Sequence, residues 1–172
     1  MKEYMRNIIL IGMPACGKST AGVLLAKTLG ADFTDTDLII QLKQKNTLQH
    51  LIDINGLEKF KEYENSALLS VTCESDTVIA TGGSAVFCDK GMRHLKRNGI
   101  CVYLELPLYD IRSRLSNIKT RGIACRRGEG LEEIYKEREP LYNKYADIKI
   151  NCEGKSCEQT VEKIIAALNI KK

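Results

Sequence analysis

The sequence predicts one α/β domain of 172 residues: a five-stranded parallel sheet covered by helices on both faces. Three observations predict it. Short apolar, β-branched runs alternate with helix-length segments along the whole chain. A glycine-rich loop, Gly12-Met13-Pro14-Ala15-Cys16-Gly17-Lys18-Ser19, joins the first run to the first helix. Two further polar clusters, Asp35-Thr36-Asp37 and Gly82-Gly83, follow later runs in the same way. Ligands on parallel sheets bind beyond the carboxyl ends of the strands, so the three clusters converge on one edge.

Asn7 to Ile11 reads as a buried strand. The segment Ser19 to Leu29 places Ala21, Leu24, Leu25 and Thr28 on one helix face and stops at Gly30. Asp32 to Thr34 is a short strand, and Leu38 to about Cys73 is helical, broken near Asn55-Gly56. Thr77 to Thr81 is another buried strand, running into Gly82-Gly83. A helix around Lys90 to Lys96, a strand at Ile100 to Leu104 and a helix opened by Pro107 follow. Ser116 to Gly130, rich in Arg and Gly without periodicity, is a loop. A charged helix from Leu131 to about Tyr145, a strand at Ile148 to Ile150 and a helix from about Glu158 to Leu168 complete the chain.

Hydrophobic residues make up 44% and charged residues 28%, ordinary for a soluble domain, and no apolar run approaches a membrane span. The first six residues lack a signal-peptide core, which suggests a cytoplasmic protein, and a monomer is expected. A net charge of +4 is mild, and basic residues cluster only near Arg121, Arg126 and Arg127. That pattern suits local anion handling rather than nucleic acid. Seven cysteines without a C-x-x-C pair, beside only two histidines, argue against zinc and for free, mostly buried thiols. His50 and His94 read as surface residues.

The loop has the complete G-x-x-x-x-G-K-[ST] pattern in its required strand-to-helix context. Its glycines let successive backbone N–H groups converge on phosphate oxygens at a helix N-terminus. Ala15, Cys16, Gly17, Lys18, Ser19 and Thr20 are therefore candidate ATP-binding residues, with Lys18 reaching the β and γ phosphates and the Ser19 hydroxyl on Mg²⁺. Asp35 and Asp37 lie two apart; on an extended strand both carboxylates point one way. One can then order the metal's water shell while the other takes a proton from an attacking hydroxyl. The plainer reading of the pair is a helix N-cap, for which Asp37 is suited. Cys16, inside the loop, is a candidate for oxidation or alkylation that blocks ATP.

With these residues in place the sequence resembles the shikimate kinases over nearly its whole length. The resemblance rests on Lys18-Ser19-Thr20, the D-T-D at Asp35 to Asp37, Gly56-Leu57-Glu58-Lys59-Phe60-Lys61-Glu62-Tyr63-Glu64, Gly82-Gly83, Arg121, and Arg138-Glu139-Pro140-Leu141-Tyr142. It implies a P-loop fold related to the nucleoside monophosphate kinases, with a substrate-binding segment over about 35–64 and a mobile lid over about 114–130. It further implies that Asp37 holds and activates the substrate hydroxyl and that Asp35 acts on Mg²⁺ through water. Gly82 and Gly83 would offer N–H groups to the substrate, and Arg138 would pair with its carboxylate. Arg121 would neutralise the transferring phosphoryl group, while Arg114 and the Gly154-Lys155-Ser156 loop would flank adenine.

Three positions depart from the family pattern. Lys61 stands where the family has an arginine that grips the carboxylate, Ser84 replaces a third glycine, and no proline follows Arg121. The implied activity is transfer of phosphate from ATP, with Mg²⁺, to the 3-hydroxyl of shikimate. A kinase for another hydroxylated acid or sugar acid, or an inactive nucleotide-binding module, are the alternatives.

Overall fold

The computed structural model describes residues 6–72, 76–116, 123–126 and 128–169. Arg121, Arg127, Cys73 and the middle of the expected lid lie outside them.

Five strands form one parallel sheet: β1 (Asn7–Ile11), β2 (Asp32–Asp35), β3 (Thr77–Ala80), β4 (Gly99–Glu105) and β5 (Ile148–Asn151), in the order β2-β3-β1-β4-β5. The central strand β1 is buried at every residue, as expected of a strand covered on both faces. Asn7 opens it, and its buried side chain accepts a hydrogen bond from the Thr77 N–H at 3.0 Å, which fixes where β1 and β3 start relative to one another.

Helix α1 (Lys18–Leu29) packs on the Leu10 side of β1: a Cβ on its Gly22 would strike Leu10 and Phe33. Helix α4 (Asp89–Lys96) lies on the Ile9 side, where Leu95 and Ile9 crowd Gly99. Since adjacent strand residues point to opposite faces, the sheet is covered on both. Helix α7 (Cys157–Ala167) joins α1 on one side. Its N-terminus carries a capping box in which Ser156 and Gln159 bond each other's backbone. The buried stripe of α1 is Lys18, Ala21, Gly22, Leu25 and Ala26. Thr28, expected on that face, is exposed and returns its hydroxyl to the Leu24 carbonyl.

The helical stretch after β2 is divided twice. Helix α2 (Thr36–Gln44) ends at Lys45 in the left-handed conformation, and α3 (Leu48–Ser70) starts from the Thr47 cap. Within α3, Gly56 (φ 76°, ψ 172°) breaks the helix where Asn55-Gly56 predicts it. A second small core, Ile40, Leu51, Phe60, Ala67 and Ala124, sits beneath this arm and joins it to residues 123–126. Helix α5 (Leu108–Ser116) starts with the Pro107 carbonyl accepting its first bonds, and α6 (Leu131–Tyr145) follows the loop. Tyr142 of α6 stacks on Tyr103 of β4, centroids 5.1 Å apart.

Of the cysteines described, all free, four are buried and Cys125 and Cys157 are half-buried. His94 departs from expectation. It is half-buried, with its ring nitrogen 2.9 Å from the Val71 carbonyl at the end of α3, and so ties α4 to α3. No helix among the described residues is long and apolar enough to cross a membrane.

Candidate active site

The glycine loop turns sharply from β1 into α1. Gly12 has φ 148°, and a Cβ there would lie 2.7 Å from the Leu104 carbonyl oxygen and 2.8 Å from Cys16 Sγ; only glycine fits. Ala15 adopts φ 65° and the Gly17 cap φ 95°, so residues in the left-handed region bracket a concave run of N–H groups. No side chain caps the first turn of α1, which leaves its N–H groups to an anion. Cys16 Sγ turns inward: the residue is buried, and Lys18 Nζ lies 3.7 Å from its sulfur.

This loop floors a cleft of about 620 Å³, the size of a cofactor site. Ala15, Gly17, Lys18, Ser19, Thr20, Asp35, Asp37, Gly83 and Arg114 all line it, so most of the residues picked from sequence meet in one place. Lys18 folds back onto its own loop, donating to the Gly12 and Met13 carbonyls at 2.8 Å each. Ser19 Oγ donates to Asp35 Oδ2 at 2.7 Å. Arg114 reaches over the loop to the Ala15 carbonyl at 3.2 Å. It lines the cleft beside the loop. Lys155 lies on an exposed turn and does not line the cleft.

The strand does not stay extended through Asp37. It ends at Asp35, which is the N-cap of α2: its Oδ1 accepts from the Asp37 N–H at 3.0 Å. The cap is thus Asp35, not Asp37, and capping coexists with a cleft-facing position because one carboxylate oxygen serves each. Asp37 reaches the cleft from the first turn of the helix instead.

Beyond Asp37 the cleft deepens into a small pocket whose lining includes Gly82, Ser84, Glu64 and Arg138. The backbone comes very close here. A Cβ on Gly82 would sit 2.6 Å from Asp37 Oδ1 and 2.8 Å from Glu64 Oε1, so both carboxylates press on one glycine. The Gly82 N–H, expected to face a substrate, donates to Thr36 Oγ1 at 3.3 Å. Tyr142 donates its hydroxyl to the Gly83 carbonyl at 2.6 Å.

Arg138 is only 2% exposed; it donates from one terminal nitrogen to the Ala124 carbonyl, lies 5.8 Å over the Phe87 ring, and leaves its buried Nε without a partner. Lys61 faces the same ring at 5.5 Å, and its ammonium pairs with Glu58 at 3.0 Å. It does not line the pocket. Among the described residues three charged side chains are buried, Lys18, Glu64 and Arg138, and all three belong to this cleft. Burying charge costs several kcal/mol per group, so its concentration at one sheet edge marks a site rather than a core.

Glu64, quoted in the family segment but given no role there, and Thr36, Gln41 and Tyr142 are the residues that sequence reasoning missed. For Glu64 a signal existed: with Phe60 and Ala67 it falls at i, i+4, i+7 on the buried face of α3. Burial pushes its carboxyl up to about 7, with Asp37 adding to the rise; the Ser84 hydroxyl and the Arg138 and Lys61 cations oppose it. An acid whose pKa is raised on folding costs stability once ionised: nothing below about 4.5, and the full amount above about 7. Glu64→Gln removes that dependence. Its stability relative to the unaltered protein is expected to gain about 3 kcal/mol between pH 5 and 8. Denaturant titrations across that range check this, and a constant difference would contradict it.

Fold and site together define a P-loop nucleotide-binding protein with the sheet of the small kinases, carrying a second, charged pocket beside the phosphate loop. Among solved structures, deoxyadenosine kinase from M. mycoides shares this fold (TM-score 0.65, 17% identity, 95% of this chain and 98% of that one). Shikimate kinase from Acinetobacter baumannii, solved in complex with shikimate, matches with a TM-score of 0.88 at 31% identity over 98% of this chain and 96% of that one. The family model described as shikimate kinase matches residues 14–169. Shikimate kinase of Thermodesulfovibrio yellowstonii is 35% identical over 163 residues, 94% of each chain. The chain belongs to the shikimate kinase family. It is also 38% identical to human threonine synthase-like 1, but over a stretch that makes up only 22% of that longer protein.

Proposed function

We propose that the protein transfers the γ-phosphoryl group of ATP to the 3-hydroxyl of shikimate. The observation that carries this reading is the adjacency of two anion sites. A phosphate loop with Lys18 lies beside a pocket where Asp37 stands between the loop and the buried Arg138. A nucleotide hydrolase has no use for the second site; a kinase with an anionic acceptor does.

In this reading the N–H groups from Ala15 to Thr20 cradle the phosphates. Lys18 exchanges its two loop carbonyls for phosphate oxygens, and Arg114 adds charge above them. Asp37 orients the acceptor hydroxyl and takes its proton, while Arg138, and Lys61 from the ring of Phe87, attract the acceptor carboxylate. Arg121 keeps its proposed role on the transferring group, and Gly83 remains a candidate N–H donor to the acceptor. Ser19 and Asp35 fit a hydrated Mg²⁺: a hydroxyl and a carboxylate 2.7 Å apart at the phosphate end. Mg²⁺ would neutralise phosphate charge there.

The free thiols suit a reducing compartment, and we place the protein in the cytosol as a monomer. Coupled ADP release with shikimate, gluconate and nucleoside monophosphates tests the acceptor. Turnover is expected with shikimate alone, and inactivity on it at millimolar concentration would sink the assignment. The specific observation favouring a different hydroxy acid is Lys61, whose ammonium cannot make the paired contact of a guanidinium.

A further inference from the structure

Glu64 is a buried carboxylate without a cation bonded to it. Lys61, one turn earlier on α3, holds Glu58 instead, and Arg138 gives a terminal nitrogen to Ala124. What anchors Glu64 is the Ser84 hydroxyl, 2.7 Å from both carboxylate oxygens. Ser84 is itself 4% exposed, so water does not compete for the contact. The result is a fixed carboxylate pressed on Gly82 beside Asp37, where the proposed acceptor has to lie.

We propose that Ser84 is a positioning residue that holds the Glu64 carboxylate in the acceptor pocket in place of a cation, and that its importance depends on position 61 being lysine. The dependence is chemical. A lysine ammonium is compact and here is spent on Glu58. An arginine at position 61 has a planar fork with several donors, enough to hold Glu64 while still facing the Phe87 ring. With such a fork present, the hydroxyl is dispensable; without it, loss of the hydroxyl leaves Glu64 with no anchor. The two positions where this chain departs from its family at the acceptor end are then one coupled change, joined through Glu64. The groups around Glu64 that bear on its charge are Asp37 from α2, Lys61 from α3, Cys88 beside α4, and Arg138 and Tyr142 from α6.

The acceptor part of this proposal rests on the kinase reading above; the coupling itself does not. The test is a double-mutant cycle of Ser84→Gly and Lys61→Arg in the full chain, with Ser84→Ala as a second hydroxyl deletion should glycine loosen the turn. Removing the hydroxyl from the protein that keeps Lys61 is expected to raise KM for shikimate about 10-fold, with kcat and KM for ATP within about twofold. In the Lys61→Arg background the same deletion should cost less than about threefold. In parallel, the Glu64 carboxyl is followed by NMR in ¹³C-glutamate-labelled protein, assigned with Glu64→Gln. Its titration should move to higher pH on hydroxyl deletion and return once Lys61→Arg is added, because a bond to the charged form is lost and then replaced. An equal KM penalty in both backgrounds, or a Glu64 titration indifferent to the hydroxyl, would overturn the proposal. Should the unaltered protein fail to use shikimate, the kinase assignment falls while the titrations still decide the role of Ser84.

Discussion

Asp37→Asn is expected to lower kcat by about 10²- to 10⁴-fold, the usual contribution of a positioned general base, while leaving ATP affinity within about twofold. The substitution keeps shape and removes basicity. Asparagine retains the backbone N–H that Asp35 accepts, so the start of α2 is preserved. Its amide also lies where it can donate to Glu64, whose Oε1 shares the close approach to Gly82. The ATP side is expected to be little affected because Lys18, Ser19 and Arg114 give their hydrogen bonds to the loop and to Asp35. Single-turnover phosphoryl transfer, paired with calorimetric titration of a non-hydrolysable ATP analogue, separates the two effects. A kcat within tenfold of the unaltered protein would show that Asp37 only positions the hydroxyl; a parallel loss of nucleotide binding would place it in the phosphate site instead.

The proposed nucleotide half of this site was legible in the sequence because its chemistry is local. Eight consecutive residues supply the loop, the first strand precedes them, and the helix that follows shows its period; nothing distant is needed to infer what Gly12 to Ser19 do. The break at Gly56 was legible for the same reason, since a left-handed residue writes itself as glycine. The face of α1 was misread at Thr28 because an exposed threonine that bonds its own helix backbone is indistinguishable, by spacing, from one on the buried side.

The proposed acceptor half was less legible because it is assembled across the chain. Glu64, Ser84 and Arg138 come from three elements, and no spacing relates them; only the packing of α3 against the 3-10 turn at Ala85–Phe87, and of that turn against α6, brings them together. Lys61 shows the limit in the other direction. Its position in a family segment pointed to the substrate, yet its ammonium pairs with Glu58 on its own helix, and it meets the site through the Phe87 ring and through its charge on Glu64. Likewise Asp35 could be read as a metal ligand or Asp37 as a cap, and the fold gives Asp35 both neighbours at once by using its two oxygens separately.

Arg138→Met is expected to raise KM for the acceptor by about 10²- to 10³-fold, with KM for ATP little changed. Methionine fills much of the space of the aliphatic stem, so the loss is chiefly of charge, including the guanidinium over the Phe87 ring, rather than of packing. That charge has two roles. In the proposed reaction it attracts the acceptor carboxylate, and it offsets Glu64 and Asp37, two acids that press on one glycine in a pocket with little access to water. Deleting one partner of a buried charge group typically costs about 3–5 kcal/mol because the others are left uncompensated, and about 1.4 kcal/mol is tenfold in affinity. Glu64 is expected to respond by holding its proton to still higher pH, so the acceptor affinity of Arg138→Met should fall less steeply from pH 6 to pH 8 than that of the unaltered protein, in which Glu64 ionises within that range. Arg138→Lys separates charge from geometry: an ammonium restores the balance with Glu64 but not the planar fork, and should recover part of the loss. Acceptor KM measured at pH 6, 7 and 8 for both variants reads all of this. A pH-independent defect, identical in the two, would mean that Arg138 acts by holding Ala124 over the pocket and not through its charge.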